Sequence, residues 1–111
     1  MAKFPKIIQV EANRMAEGSI FVNVVAEVSN SATTALDETH NVSDSGDRLL
    51  VVMHQKAVPQ HPGTVSTQVV GKKKLQFKVW GNEMDISRLV YVDVYGGDYD
   101  QANSKRAVLA Y

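Results

Sequence analysis

The sequence predicts one mainly β domain, an antiparallel sheet or β-sandwich of about six to seven strands with a short C-terminal helix. Three observations carry this reading. Apolar residues recur with a period of two over several short segments, β-branched residues dominate those segments, and Gly, Pro, Asn and Asp cluster between them. A chain of 111 residues with 44% apolar and 22% charged residues has the size and composition of a single folded domain.

Residues 6–12 open the series, with Ile8, Val10 and Ala12 on one face and Gln9 and Glu11 on the other. After a connection ending at Gly18, residues 19–29 give the longest strand signal. There Ile20, Val22, Val24, Ala26 and Val28 form one apolar face opposite a mixed face of Phe21, Asn23, Val25 and Glu27, which places this strand in the middle of the core. Residues 30–47 turn to Ser, Thr, Asn, Asp and Gly and read as one long loop, with a short helix at 32–38 as the alternative. A loop of that length in a compact domain is commonly a contact surface.

Residues 48–55 form an apolar run expected to be buried on both faces, ended by Pro59, Pro62 and Gly63. Residues 64–70 and 75–80 then read as a hairpin whose tip carries Lys72, Lys73 and Lys74. In its second arm Leu75, Phe77 and Val79 point one way and Gln76, Lys78 and Trp80 the other. Residues 89–95 resume strand character, with Val90, Val92 and Val94 opposite Leu89, Tyr91, Asp93 and Tyr95, until Gly96 and Gly97 stop it. Beyond them Asp98 or Asp100 is expected to cap a helix through 101–109, a stretch rich in helix formers with acids early and bases late, with a last short strand over 107–111 as the alternative.

Several chemistries are excluded or unmarked. The chain has no cysteine, which removes disulfides, thiolate zinc sites and cysteine nucleophiles. The N-terminal residues carry no apolar signal region, and no apolar run approaches the roughly 20 residues needed to span a bilayer. The expectation is therefore no membrane association and a cytoplasmic or virion location. His40, His54 and His61 match no ligand spacing, so neither a metal nor another cofactor is expected. No nucleophile elbow or phosphate loop is present, and Asp98 with Asp100 lacks the remaining pattern of a calcium loop, so the sequence points away from an enzyme.

The most informative constellation is Lys72, Lys73, Lys74 and Lys78 interleaved with Phe77, Trp80, Tyr91 and Tyr95, since lysines neutralise phosphates and rings stack on bases. Nucleic acid is accordingly one expected partner, although the reading placed ahead of it is a solvated hairpin whose lysines discourage edge-to-edge aggregation. Phe77 shares the Leu75 and Val79 face and is assigned to the core. The charge is also unevenly spread: residues 1–47 carry −4 and residues 48–111 carry +4 in a chain that is neutral overall, an asymmetry suited to contacts between copies. The strands hold more apolar surface than one small sheet needs. These features point to a self-assembling structural protein, a homo-oligomer such as a small phage coat or virion decoration protein. The competing reading is an immunoglobulin-like or carbohydrate- or protein-binding module. In it the 30–47 loop, with Asp37, Glu38, His40 and Asp44, is the contact surface, and Trp80 or Tyr91 stacks on sugar. Residues 89–109, read as strand, glycine pair and helix, are loosely similar to the strand-to-helix end of RNA-phage coat proteins. That resemblance covers the last quarter of the chain and implies a helix that clasps a dimer partner.

Overall fold

The computed structural model describes residues 4–58 and 69–109. These contain seven strands: β1 (Lys6–Met15), β2 (Ser19–Val28), β3 (Thr34–Val42), β4 (Arg48–Ala57), β5 (Gly71–Trp80), β6 (Tyr91–Gly96) and β7 (Ser104–Val108). One 3-10 turn (Gln101–Asn103) precedes β7. The strands form a three-stranded sheet in the order β1-β2-β5 and a four-stranded sheet in the order β3-β4-β6-β7. The mainly β class is thus as expected, and the architecture is a sandwich. Every pairing is antiparallel except β4 with β6. Parallel neighbours need a crossover, and here β5 supplies it by running in the other sheet between them. In the immunoglobulin constant arrangement the third strand lies beside the sixth; here β4 takes that place.

The core lies between the sheets. On β2, Ile20, Val22, Val24, Ala26 and Val28 are all wholly buried, as the alternation predicts. All but Val28 join Leu49, Val51 and Met53 of β4 and Val92 and Val94 of β6 in one cluster closed by Ile7, Ala12, Val79, Leu89 and Leu109. Burying each such aliphatic side chain is worth about 1.5–3 kcal/mol against an exposed one. On the outward face of β4 Val52 is buried and Leu50 half-buried, so the two-sided burial expected there holds for the middle of the strand.

Four local expectations are corrected. The first strand runs on to Met15, and the register slips between Ile7 and Gln9. This bulge turns Ile7 inward in place of Ile8 and leaves Val10 and Ala12 on the core side. The 30–47 segment is not a long loop or a helix but contains β3. Its period is masked because the inward row of Leu36, Glu38, His40 and Val42 contains two polar residues, while Ala35, Asp37, Thr39 and Asn41 face outward. The lysines are not a hairpin tip: β5 begins at Gly71 and pairs with β2 over its whole length, while residues 64–68 of the expected first arm lie outside the described residues. The C-terminal helix is replaced by the single 3-10 turn and β7. Asp100 does cap that turn, accepting from the Ala102 amide at 3.0 Å. The chain then pairs with the free edge of β6 and inserts Leu109 into the core, a tertiary gain that outweighs helix propensity. The helix on which the phage-coat resemblance rested is therefore absent from the described residues.

The two sides of the sandwich differ. Beside β1 and β7 the layers are stitched together: Asn103 accepts from the Ile7 amide at 3.1 Å and donates to the Pro5 carbonyl at 2.9 Å. Arg14 of β1 donates to the carbonyls of Ile86 and Leu89 in the connection before β6. On the other side β3 and β5 face each other across the layers. Gly71 lies against Ser31, and the His40 ring stacks on Phe77 with centroids 5.7 Å apart.

Candidate functional site

Strand alternation decides which of the expected contact residues meet. The β2 and β5 register sets Glu27 beside Lys72, Val25 beside Lys74, Phe21 beside Lys78 and Ser19 beside Trp80. Lys72, Lys74, Lys78 and Trp80 therefore share the outward face of the three-stranded sheet. Lys73 falls on the opposite face, in the row of Leu75 and Phe77. Lys78 Nζ is 2.5 Å from Glu17 Oε1 and 5.4 Å from the centre of the Trp80 ring. That ammonium hydrogen bond, with a second from the Ser19 hydroxyl, holds the Glu17 carboxyl below its ordinary value of 4.5. Lys6, Lys72, Lys74 and Lys78 are interspersed with Glu11, Glu17 and Glu27, so the face is nearly neutral.

Tyr91 does not join this group. It lies on the outward face of β6 in the other sheet, where its ring takes the Arg106 guanidinium at 4.3 Å. Beside it Asp93, only 4% exposed, accepts from Arg106 Nε at 2.7 Å and Nη2 at 3.1 Å, and from Arg48 at 3.4 Å. The paired carboxylate raises the already high pKa of Arg106. The sequence reading missed this cluster. Its signal was an acid flanked by Val92 and Val94 inside a strand, which a folded domain buries only with cationic partners.

The acidic candidates are spread along β3 and its following turn. Asp37 is exposed on the outward face, and its carboxylate accepts the Glu38 amide at 2.8 Å. Glu38 points inward and meets His40 Nδ1 at 2.8 Å, and both side chains are less than one-fifth exposed. Asp44 lies exposed in the turn beyond β3. His54 is on the outward face of β4, 3.4 Å from the Thr39 hydroxyl, and His61 lies outside the described residues. Among the described residues no group of three or more His, Asp or Glu side chains could hold a metal ion. Glu38 and His40 supply the acid and imidazole of a hydrolytic triad, but among the described residues no hydroxyl bonds to His40.

What this arrangement presents to a partner is strand edge. β3 and β5, of nine and ten residues, run without a register shift and have no neighbour on their outer sides among the described residues. β1 is interrupted by its bulge, and β7 is only five residues long. Three exposed valines sit at the base of the β3 and β5 side. Val58 donates its amide to Thr33, Val69 accepts from Ser31, and Val70 adjoins Gly71; they are 38%, 51% and 52% exposed. Among the described residues no helix is long and apolar enough to cross a membrane. No family model matches the chain, and neither the curated proteins nor the solved structures searched contain a match.

Proposed function

We propose that this chain is a non-enzymatic structural protein that assembles with copies of itself, as small phage coat and virion decoration proteins do. The observation that carries the reading is the pair of long, regular edge strands on one side of the sandwich that have no neighbour among the described residues. A regular edge of this length is a template for another strand, and monomeric β proteins usually interrupt, shorten, cover or charge theirs; here β5 carries lysines and β3 acids, so each edge repels its own kind and suits the other. The β1 and β7 side has a bulge and a short strand; the β3 and β5 side has neither. The three valines at its base add apolar area to the same surface. The sandwich itself uses up most of the apolar residues in the strands, so the reading rests on the edges and not on a bare sheet face.

Size-exclusion chromatography with light scattering, over a range of concentrations and salt, tests the proposal. A mass above 12.2 kDa that grows with concentration is expected, and a monomer under all conditions contradicts it. Nucleic-acid contact through Lys72, Lys74 and Lys78 is the accompanying proposal, supported by their common face with Trp80. Co-purified nucleic acid in the assembled fraction, lost when the three lysines are neutralised, is the outcome it requires. Uptake unchanged in that variant removes the lysines from the account.

A further inference from the structure

Resting on the assembly reading, we infer that two copies join about a two-fold axis parallel to their strands, each β5 pairing in parallel with the partner's β3. The direction of the strands comes first. Gly71 begins β5 against Ser31, three residues before β3, and Phe77 further along β5 stacks on His40 further along β3. The two edges therefore run the same way, on the same side of the sandwich, in opposite layers. Rotation by 180° about an axis along the strands exchanges the layers and keeps strand direction. It lays β5 of each copy beside the partner's β3 twice over, so that both layers become continuous seven-stranded sheets. Such an interface is self-complementary and closed.

Charge selects this arrangement over its rivals. β5 carries Lys72, Lys73, Lys74 and Lys78, whereas β3 carries Asp37 and Glu38. The other two-fold, with its axis normal to the sheets, would set β5 against β5 and β3 against β3, placing like charges directly opposite each other. A two-fold joining the two far sides offers no complement, because Lys6 and Arg14 against Glu11 leave β1 positive and Lys105 and Arg106 leave β7 positive. Among closed two-fold pairings, only the cross-edge one sets lysines against acids; β3 against the positive β1 or β7 edge would do so only in an open, head-to-tail chain.

The symmetry also fixes the register. A two-fold rotation has no translation along its axis, so residues level within one copy are level across the junction. Phe77 is level with His40, and Lys74 and Asp37 each lie three residues earlier. Both Lys74 and Asp37 point outward, so Lys74 meets the partner's Asp37 on the continued outer face. The exposed Val58, Val69 and Val70 of the two copies come together at the same end of the junction.

Charge exchange in the full-length chain tests the pairing by sedimentation equilibrium. Lys74→Glu alone and Asp37→Lys alone each place like charges at both junctions and are expected to weaken dimerisation by about tenfold or more. An equimolar mixture of the two variants is expected to recover wild-type affinity. In that heterodimer one junction holds the exchanged pair and the other the native pair. Circular dichroism and melting of each variant check that the fold is retained. Single variants that dimerise like wild type, or a mixture no tighter than either alone, overturn the pairing and leave assembly by another surface standing. A wild-type chain that stays monomeric overturns the assembly reading together with it.

Discussion

At Asn23 the outward face of the three-stranded sheet holds a polar group that the fold does not satisfy. Its Oδ1 is buried with no hydrogen-bond partner among the described residues, between Glu11 and Gln76 on the neighbouring strands. A buried acceptor left unpaired carries its desolvation cost without return. Asn23→Val removes it and suits a strand, so the variant is expected to be neutral or more stable by up to about 1 kcal/mol in urea unfolding. A loss of stability would show that the amide has a role in the fold. Asp93 presents the opposite case, a buried carboxylate whose cost is offset by Arg48 and Arg106. Removing the acid frees two arginines that already reach solvent, whereas removing both arginines strands a buried charge. The Arg48→Met, Arg106→Met double variant should therefore unfold at lower urea than Asp93→Asn. The reverse order would contradict the assignment of Asp93 as the group that needs its partners. Acid sensitivity belongs to this scale too. Glu17 is held below 4.5 by Lys78 and Ser19, so its contribution to stability is present above that value and lost as pH falls through its lower folded value. The decline of urea stability in that window should flatten in Glu17→Gln. An unchanged slope would mean that other carboxylates set it, with Asp47 and Asp85, lowered by Ser45 and Ser87, the next to examine.

Among the elements, β2 and β4 were legible because their inward rows are unbroken aliphatic series whose period survives any reading of the flanks. β3 was not legible, and the reason is its position. An edge strand needs only one half-buried row, and here that row spends two of its places on Glu38 and His40, which satisfy each other. The start of β5 was mistaken for a turn for a related reason, since three consecutive lysines hide a period that only its pairing with β2 reveals. β7 is built from helix formers, and nothing local in 104–108 shows that β6 has an edge to fill. Of the proposed contact residues, the common face of Lys78 and Trp80 followed from alternation alone. The separation of Tyr91 from them required knowing that β6 lies in the other sheet. Gly71 marks where β5 meets the start of β3: a Cβ there would lie 2.6 Å from the Ser31 Cβ. Gly71→Ala should destabilise the chain by about 1–3 kcal/mol through this overlap, with Ser31→Gly in the same chain restoring most of the loss. If the second substitution gives no rescue, the two segments do not touch as described.

For the whole molecule, the sandwich accounts for the apolar surplus that first suggested assembly, and the edges now carry that claim. The core is ordinary in its energetics: Leu49→Ala, at a wholly buried position facing β2, is expected to cost about 2–5 kcal/mol in unfolding experiments. The asymmetric distribution of charge along the chain acquires a place in the fold, because β3 belongs to the acidic first part and β5 to the basic remainder. Intermolecular pairing along those two strands is what the account asserts, and amide hydrogen exchange reads it strand by strand. Compared at dilute and concentrated protein, amides of β3 and β5 should slow with concentration while those of β1 and β7 stay unchanged. Protection that is independent of concentration on all four strands, or that appears on β1 and β7 instead, would contradict it.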